Sequence, residues 1–521
     1  MQHAPNLLSS FLFETAWQRG DQPALRDGLR ELTYARTLCL ASAIARDLQR
    51  AGLERGDRVV LLMSNSVGFC VTFWGVILAG GVVVPLNPDT KEEKLSWIIG
   101  NCEPKSIVAD ECLLAKVHAA VGTKDTAPYV LTYVGSGLLG QDLIAFDEET
   151  VDDSSEALGN ALVDVIDCDL AAIIYTSGST GDPKGVMLSH LNVTAAARSV
   201  STYLGYRADD TVFCSIPLSF DYGLHQLIMS TLVGATLHVE TDFAKPLFAL
   251  SHLVSSAATV FPIVPTMVPL IEPLADRFDL RHIRCLTSTS AALHSGSIDR
   301  LAALFPDAVI FSMYGLTECH RCTYLDPAEL NARKTSVGKA IPNTELWLVN
   351  DQGKRHFRNA TGELVIRGST VMKGYWKNTA KTAEKLRICP VTQDVVLFTG
   401  DTCRLDEDGF LYFIARNDDI LKVGGQKVAP SEIERTLMAH SAVSQAAVIS
   451  ERHPAHGERP IAFVTVRPGV SIVSSALADW CRDRLEKHVM PARIVLVDAF
   501  ERNANGKIDK HALHGLLVEY A

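Results

Sequence analysis

Two adjacent segments decide the fold class: TYARTLCLASAIARDLQRAG, residues 33–52, and DRVVLLMSN, residues 57–65. The first segment has apolar residues at helical spacing and stops at Gly52, so it predicts a helix. The second segment is a short apolar run after a Gly-Asp turn, which is typical of a buried strand. Strands that alternate with helices in this way indicate parallel sheets in an α/β fold.

The same alternation returns twice downstream, in FCVTFWGVILAG then GVVVPLN (69–87) and in KLSWIIGNCEP then KSIVAD (94–110). Glycines and Pro85 divide the apolar stretch 69–86, so it predicts a buried helix and a strand rather than a membrane span. We therefore expect no membrane association.

The pattern changes between residues 340 and 415, where short alternating runs are cut by turns: NTELWLVNDQG (343–353), TGELVIRGS (361–369) and GFLYFIARN (409–417). Such runs predict an antiparallel or barrel-like sheet. The last hundred residues return to mixed α and β. The predicted fold is α/β, with a large N-terminal domain (1–417) of parallel α/β sheets plus a smaller distorted barrel, and a small α+β C-terminal domain (418–521).

Length, net charge and cysteine spacing exclude several classes of protein. A chain of 521 residues is too long for one ordinary core, so two or more domains are expected. The net charge of -11, without a basic tract, argues against nucleic-acid binding. The N-terminus has no signal-peptide pattern, and a single Cys-x-x-Cys (Cys319 to Cys322) does not make a zinc site. We expect a cytoplasmic protein with separate reduced thiols.

The segment YTSGSTGDPKGV, residues 175–186, has the chemistry of a phosphate loop. Glycines let backbone N–H groups converge on a ligand, hydroxyls donate further hydrogen bonds, and Lys184 supplies a positive charge. The spacing is not that of a Walker A loop. A flexible Gly/Ser linker is the alternative, but Pro183 stiffens the loop and apolar runs flank it.

This segment resembles the phosphate loop of the adenylate-forming superfamily, which comprises acyl-CoA synthetases, adenylation domains of nonribosomal peptide synthetases and firefly-type luciferases. Further motifs follow in the family's order, from about residue 10 to 515. The resemblance implies that the loop holds the β- and γ-phosphates of ATP. The implied phosphate-loop residues are Thr176, Ser177, Gly178, Ser179, Thr180, Gly181 and Lys184.

MYGLTE, residues 313–318, resembles the second nucleotide motif of that superfamily. The resemblance implies that Thr317 contacts the α-phosphate and that Glu318 holds Mg²⁺, a cation that favours a carboxylate together with phosphate oxygens. A further stretch, FTGDTCRLDEDGFLYFIAR (398–416), resembles another motif of the superfamily, and the resemblance assigns Asp401 to the two ribose hydroxyls, which suits a two-oxygen acceptor. The remaining implied nucleotide contacts are Ser290, Ala291, Tyr314 and Arg416.

The C-terminal motifs imply two half-reactions in one cleft. RNANGKIDK, residues 502–510, matches the terminal motif whose lysine, here Lys507, approaches the acid carboxylate and the α-phosphate. Asp418 corresponds to the hinge about which a mobile C-terminal domain rotates. LKVGGQKVAPSEIE, residues 421–434, resembles the segment that faces the active site in the thioester-forming state, which implies that Gly424 and Gly425 leave room for a phosphopantetheine thiol, carried by a protein or by CoA. The implied catalytic residues are Lys507, Thr317 and Glu318.

The segment IPLSFDYGLHQL, residues 216–227, indicates which class of acid the enzyme would activate. Phe220 takes the place of a histidine found in many fatty- and aryl-acid relatives, and Asp221 follows it. In amino-acid activating relatives an aspartate here pairs with the substrate ammonium, since a buried carboxylate needs a cation. The alternative is that Asp221 caps a helix beginning at Tyr222. Gly315 is the third residue assigned to the acid.

The sequence resembles both freestanding ligases that load proline or β-amino acids onto carrier proteins and poorly characterised acyl-CoA ligases. Thr289 and Ser290 replace the usual glycines near the nucleotide, which predicts a small acid such as proline. The chain ends at LLVEYA without a carrier attachment motif, so the expected acceptor is a separate carrier protein.

Three alternatives to this interpretation remain. The first is an AMP-forming ligase that uses free CoA and an acid without nitrogen. The second is a non-catalytic nucleotide-binding or scaffold protein, against which the presence of Lys184, Glu318, Asp401 and Lys507 argues. The third is a luciferase-like oxygenase, which Asp221 does not support. The sequence does not predict an oligomeric state.

Overall fold

The computed structural model describes residues 6–28, 30–122, 128–134, 137–140, 163–176, 183–291, 293, 295–350, 352–416, 419, 421–423, 426–453, 457–485, 489–502 and 507–519. The α-helices of these residues are α1 (Leu8–Arg19), α2 (Tyr34–Arg50), α3 (Val67–Leu78), α4 (Glu92–Cys102), α5 (Leu114–Val121), α6 (His190–Leu204), α7 (Asp221–Val233), α8 (Pro246–Ser255), α9 (Val268–Ile271), α10 (Ser295–Leu304), α11 (Thr379–Lys385), α12 (Pro430–Met438), α13 (Ser474–Arg482) and α14 (Lys510–Glu519). Short 3₁₀ helices occupy Glu111–Leu113, Pro265–Met267, Glu272–Arg277 and Pro327–Glu329.

The strands are β1 (Pro23–Arg26), β2 (Glu31–Thr33), β3 (Arg58–Leu62), β4 (Val82–Leu86), β5 (Ser106–Asp110), β6 (Tyr129–Val134), β7 (Gly137–Gly140), β8 (Leu170–Thr176), β9 (Lys184–Ser189), β10 (Thr211–Cys214), β11 (Thr236–Val239), β12 (Val260–Ile263), β13 (Cys285–Ser288), β14 (Val309–Tyr314), β15 (Thr323–Leu325), β16 (Lys339–Ala340), β17 (Thr344–Val349), β18 (Arg355–His356), β19 (Ala360–Gly368), β20 (Gly374–Tyr375), β21 (Leu386–Ile388), β22 (Val395–Leu405), β23 (Leu411–Arg416), β24 (Leu421–Val423), β25 (Gln426–Val428), β26 (Val443–His453), β27 (Gly457–Val466) and β28 (Arg493–Leu496).

Two large sheets form the N-terminal part. One has eight strands in the order β20-β9-β8-β4-β3-β5-β6-β7, with parallel pairing from β8 through β6. The other has nine strands in the order β16-β15-β14-β13-β12-β10-β11-β1-β2, parallel from β14 to β1. Both faces of a parallel sheet are covered, which explains why β4 is apolar throughout and buried along its whole length.

The helices that follow the first strands pack between the sheets. Thr33 caps α2 by accepting from the Arg36 N–H, so this helix lies where the sequence predicted it. All twelve residues of α3 are buried. A Cβ at Gly75 would lie 2.5 Å from Ile44 Cγ2, so this glycine allows α2 and α3 to approach each other closely.

Two smaller sheets complete the fold. An antiparallel sheet has the order β18-β17-β19-β22-β21, with β23 paired to β22, and contains the three alternating runs of residues 340–417. The C-terminal sheet has the order β25-β24-β27-β26, with β28 parallel to β27, and carries α12, α13 and α14. The predicted fold class is confirmed. The boundary between 417 and 418 stays a prediction, since Asn417 and Asp418 lie outside the described residues.

None of the helices in the described ranges is long and apolar enough to cross a membrane.

Candidate active site

Strands β22 and β23 place Asp401 beside Arg416, its cross-strand partner. Asp401 is buried, and its Oδ2 accepts a hydrogen bond from the Tyr314 hydroxyl. Its Oδ1 lies 3.8 Å from Arg416 Nε and has no hydrogen-bond partner among the described residues. Burial raises the pKa of Asp401, which Arg416 and Tyr314 partly oppose. The site therefore holds a buried carboxylate oxygen with free capacity to accept a hydrogen bond.

The end of β14 leads into a tight turn that carries Glu318. The Tyr375 hydroxyl donates to Glu318 Oε1 at 2.7 Å, and the Met372 N–H donates to the Glu318 carbonyl oxygen at 2.8 Å. A Cβ at Gly315 would lie 2.1 Å from the His320 carbonyl oxygen. Gly315, predicted to contact the acid, therefore has a structural task here, since only glycine allows the turn to fold back on itself.

The two ends of the predicted phosphate loop meet through antiparallel pairing of β8 and β9, which aligns Thr176 with Lys184. The Lys184 Nζ lies 6.0 Å from the centre of the Tyr375 ring. Because the Tyr375 hydroxyl binds Glu318, this one side chain connects the loop lysine to the carboxylate predicted to hold magnesium. The sequence analysis missed Tyr375, and no spacing in the surrounding residues signals it.

The strand β13 ends beside the predicted nucleotide pocket. Ser290 follows it with φ of 77°, and its buried Oγ has no hydrogen-bond partner among the described residues. Left-handed backbone is uncommon for a residue other than glycine and favours a functional or tightly constrained position. Ala291, the next residue, is exposed.

Lys507 reaches the centre of the site from the C-terminal part of the chain. Its pKa is lowered, first by desolvation in the cleft and then by Arg416, while Asp221, Asp401 and Glu318 act in the opposite direction. By its accessible surface the Lys507 residue is nevertheless exposed to solvent. One cation thus interacts electrostatically with the predicted ribose ligand, the predicted magnesium ligand and the predicted acid ligand.

Asp221 forms a buried ion pair that the sequence analysis did not foresee. Its Oδ2 lies 3.3 Å from Arg321 Nη1, and both side chains are about 95% buried, with 5% and 4% exposed. The Arg321 guanidinium also lies 4.7 Å from the centre of the Tyr222 ring and donates to the His320 carbonyl oxygen at 2.8 Å. Burial raises the pKa of Asp221, and Arg321 opposes that rise.

The alternative role predicted for Asp221, the cap of a helix beginning at Tyr222, is wrong by one residue. The helix α7 begins at Asp221 itself, and the N-cap position is Phe220, which makes no side-chain capping bond. Asp221 is therefore the first helical residue, where the partial positive charge of the helix N-terminus still favours a carboxylate. Phe220 is partly buried against the main core.

Sequence comparison decides the family. Residues 12–376 match the AMP-binding enzyme family, and residues 432–507 match the AMP-binding enzyme C-terminal domain. The chain belongs to the AMP-binding enzyme family. This AMP-binding enzyme is 31% identical to 4-coumarate--CoA ligase 5 of Oryza sativa subsp. japonica, over 99% of the chain and 95% of that relative. It is 30% identical to 2-succinylbenzoate--CoA ligase of Geobacillus kaustophilus, over 98% of each chain.

The fold comparison agrees with the family assignment. The structure of ATP-bound MatB from Rhodopseudomonas palustris superposes with a TM-score of 0.86, at 27% identity and 99% coverage of both chains. These relatives support the general chemistry of an AMP-forming acid–thiol ligase, but give no support for a prolyl carrier-protein ligase.

Several predicted residues of this AMP-binding enzyme lie outside the described residues: Ser177, Gly178, Ser179, Thr180, Gly181, Asp418, Gly424 and Gly425. Thr317 is described and lies in the turn between Gly315 and Glu318. The twelve cysteines carry no disulfide, and the Cys319 and Cys322 sulfurs lie 3.6 Å apart. The described ranges contain no cluster of three or more metal-ligating side chains.

Proposed function

We propose that this AMP-binding enzyme joins a small carboxylic acid to ATP, releasing pyrophosphate, and then transfers the acyl group from AMP to the thiol of CoA. The position of Lys507 is the observation that carries the proposal. A cation that interacts with Asp401, Glu318 and Asp221 stands where the nucleotide and the acid would meet. Negative charge develops there as a carboxylate attacks the α-phosphorus, and a preorganised cation stabilises it.

The residues present fit a nucleotide triphosphate. Asp401 offers a buried acceptor oxygen for ribose hydroxyls, and Ser290 offers a buried hydroxyl that has no hydrogen-bond partner among the described residues. Thr176 and Lys184 flank the loop proposed to bind the β- and γ-phosphates, and Arg416 lies beside Asp401. Binding of ATP would satisfy polar groups that have no partner within the described ranges.

Glu318 is the residue proposed to hold Mg²⁺. Tyr375 binds one of its carboxylate oxygens, and no described residue hydrogen-bonds to the other, which suits a cation that takes one or two carboxylates plus phosphate oxygens. Bound there, the ion would neutralise charge on the phosphates. The protein's own part is to orient Glu318 through Tyr375 and to bring Lys184 and Lys507 to the same place.

The mechanism needs no protein nucleophile in the first half-reaction. The acid carboxylate oxygen attacks the α-phosphorus, the bond to pyrophosphate breaks, and an acyl-adenylate forms. Lys507, Thr317 and Glu318 position the groups and balance their charge, as in phosphoryl transfer generally. In the second half-reaction the thiol attacks the acyl carbon and AMP leaves. We propose that this attack is preceded by rotation about Asp418, which brings Gly424 and Gly425 to the pantetheine arm.

CoA is proposed as acceptor ahead of a carrier protein, because the curated relatives named above are CoA ligases. An acid without nitrogen is proposed ahead of an amino acid for a structural reason. The argument for an ammonium was that a buried carboxylate needs a cation, and Arg321 already supplies one to Asp221. A small amino acid such as proline, with carrier-bound phosphopantetheine, is the second candidate.

ATP–pyrophosphate exchange with a panel of amino acids and simple acids tests both candidates. We expect exchange with at least one acid that lacks nitrogen, followed by thioester formation with CoA. Lys507→Ala should lower the rate of exchange by about 10²- to 10³-fold without loss of folding. Exchange restricted to amino acids, with transfer only to a carrier protein, would establish the second candidate instead.

The ion pair between Asp221 and Arg321 makes Asp221→Ala unsuitable as a control by itself. Asp221→Ala alone would leave the Arg321 guanidinium buried without a counter-ion, which destabilises any such protein whatever its substrate. The informative variant removes both charges, Asp221→Ala with Arg321→Met. An enzyme for simple acids should keep exchange in this double variant, whereas one that binds an ammonium through Asp221 should lose its preference for amino acids.

A further inference from the structure

The segment that carries Asp401 is a bulge in β22. Where β22 pairs with β19, the three residues 399–401 lie opposite the single residue Leu364. Extra residues in one strand interrupt the ladder of backbone hydrogen bonds and re-aim the side chains that they carry. The bulge therefore determines where the Asp401 carboxylate points, and its backbone groups need partners other than a neighbouring strand.

Side chains supply those partners. The Lys385 ammonium donates to the Thr399 carbonyl oxygen at 2.7 Å. On the next residue, the Gly400 N–H donates to Glu363 Oε1 at 2.9 Å. The Asp401 N–H donates to Thr399 Oγ1 at 3.1 Å. Each residue of the bulge is thus held by a side chain, and two of the three side chains are charged, which makes their hydrogen bonds stronger than those between neutral groups.

Gly400 leaves the space that the ammonium occupies. This residue has φ of 78°, a left-handed conformation that glycine adopts without strain. A Cβ on Gly400 would collide with Lys385 Nζ. The head of the lysine therefore lies directly against the backbone of the bulge, and a side chain at residue 400 would displace it.

Helix α11 brings Lys385 to this place. Lys385 is the last residue of the helix, and the strand β21 that follows it pairs with β22. Thr382, three residues earlier, accepts through its Oγ1 from the Tyr375 N–H at 2.9 Å. This short helix therefore contacts both the tyrosine that orients Glu318 and the bulge that carries Asp401.

The charge of Lys385 also acts on Asp401. Burial raises the pKa of Asp401, and the charges of Arg416 and Lys385 are among the interactions that oppose the rise. Lys385 is itself partly buried, and desolvation lowers its pKa, as does Arg416, while Glu318 and Asp401 act in the opposite direction. The lysine therefore favours the ionised form of Asp401 at the same time as it holds the backbone beside it.

We propose that Lys385 is a positioning residue for the nucleotide: together with Glu363 it holds the bulge in the form that presents the Asp401 carboxylate to the ribose hydroxyls. The inference rests on the proposed function and adds a residue to its nucleotide site. No contiguous motif marks Lys385, because its partner is a backbone carbonyl group on another strand.

Dissociation constants for AMP and 2′,3′-dideoxy-AMP test the inference. Both probes carry the same base and phosphate, so the ratio of the two constants reports the hydroxyl contacts and does not depend on the fraction of a sample that has folded. Because a hydrogen bond to a charged group corresponds to a factor of about 10 to 100 in affinity, the wild-type enzyme should bind AMP about tenfold or more tightly by isothermal titration calorimetry. Asp401→Ala should bring the ratio close to one.

Lys385→Met removes the ammonium and keeps the length of the side chain. We expect this variant to lower the ratio nearly to that of Asp401→Ala, whereas Lys385→Arg, which can still donate to the Thr399 carbonyl oxygen, should keep most of it. Lys381→Met is the matched control, because Lys381 lies on the same helix and pairs with the exposed Glu384. It should leave the ratio at the wild-type value.

Further variants separate positioning from stability. Glu363→Ala removes the acceptor of the Gly400 N–H and should lower the ratio as Lys385→Met does, whereas Glu363→Gln keeps an acceptor oxygen and should not. If Lys385→Met does not fold, the two Glu363 variants carry the same test. In the Asp401→Ala background, Lys385→Met should cause no further change, because a residue that acts through another has no effect once the other is removed.

Three results would overturn the inference but leave the proposed function intact. These are a wild-type ratio close to one, a ratio that survives Lys385→Met, and a further fall of the ratio when Lys385→Met is added to Asp401→Ala. Failure of the wild-type enzyme to bind AMP would also overturn the inference. Absence of ATP–pyrophosphate exchange with every acid, amino acids included, would then refute the proposed function as well.

Discussion

At the scale of single residues, Asp401 and Lys507 carry most of the chemistry expected of this site. Asp401 is a buried carboxylate with one oxygen bound to Tyr314 and the other without a hydrogen bond to any residue that the structure describes. Lys507 is a cation whose pKa is lowered by desolvation although three carboxylates stand near it. In both cases the surroundings, and not the residue type, determine what the group can do.

Removal of the Asp401 carboxylate should weaken ATP binding. A hydrogen bond to a charged group contributes about 1.5–3 kcal/mol, so Asp401→Ala should raise the KM for ATP by about 10- to 100-fold. Tyr314→Phe is the matched control, because it removes the internal partner of Asp401 and keeps the carboxylate, and it should change the KM for ATP by less. An unchanged KM for ATP in Asp401→Ala would show that Asp401 does not bind the nucleotide.

Lys507 should give adenylate formation a pH limit on the alkaline side. The ammonium form is the active one, so the exchange rate is lost as the pH rises through the pKa of Lys507. Because desolvation lowers that pKa, the loss should begin below the ordinary lysine value of 10.5. The measurement is the pH profile of kcat for exchange at saturating ATP.

Lys507→Arg supplies the control for that profile. A guanidinium stays charged over the whole range, so the variant should lose rate from imperfect geometry but should shift the alkaline limit upward. Lys507→Ala should lose about 10²- to 10³-fold in kcat, as is typical when one preorganised donor is removed. A profile that is the same in the lysine and arginine enzymes would assign the limit to another group.

At the scale of elements, the turn after β14 organises the site. It runs from Tyr314 to Arg321 and supplies the partner of Asp401, the proposed magnesium ligand and the partner of Asp221. Gly315 makes this possible, since a side chain there would collide with the backbone of His320 and Arg321. The turn therefore connects, through its backbone, the residues proposed to bind the nucleotide and those proposed to bind the acid.

Gly315→Ala should disturb both sides of the site at once. The new Cβ would lie 2.1 Å from the His320 carbonyl oxygen, so the backbone must shift, at a cost of about 1–3 kcal/mol in the free energy of unfolding. Thermal unfolding and exchange kinetics should both show the loss. Gly296→Ala, where the nearest atom to the new Cβ is 3.5 Å away at the end of Arg300, should leave exchange unchanged and should not lower stability, because alanine favours the helix α10 that contains this position.

At the scale of the whole molecule, an ionic contact joins the C-terminal domain to the N-terminal one. Glu272 lies 3.3 Å from Arg300 and 4.0 Å from Arg467, which follows the C-terminal strand β27. The Arg467 charge contributes to a lowered pKa of Arg300, after desolvation. Glu272 thus offsets the repulsion between Arg300 and Arg467. It stabilises the observed position of the C-terminal domain, in which Lys507 lies in the cleft.

Reversal of the Glu272 charge should disfavour this arrangement. Glu272→Arg would bring three cations together. If their repulsion raises the free energy of this arrangement by about 1 kcal/mol, the rate of exchange should fall roughly fivefold. Thioester formation from preformed acyl-adenylate should not fall, because it is proposed to need another arrangement. Restoration of exchange in Glu272→Arg with Arg467→Glu would confirm the contact, and equal loss in both half-reactions would contradict it.

The sequence by itself determined the fold class and the order of the elements. Helix α2, strand β3 and the following pairs lie where spacing and turn residues placed them, because local patterns decide helix and strand. It also led to a prediction, not yet tested, of the residues that bind the nucleotide, because motifs that are contiguous along the chain resemble those of the family. Asp401, Arg416, Glu318 and Lys507 could be named for that reason.

Only the tertiary structure decided what surrounds those residues. Asp221 and Arg321 are one hundred positions apart, and the sequence therefore left Asp221 without a visible cation, which led to the ammonium hypothesis. Tyr375 and Glu318, 57 positions apart, are joined in the same way. Charge pairing and desolvation depend on distances in space, which local patterns do not contain, so the partner of a buried charge can be known only once the chain is folded.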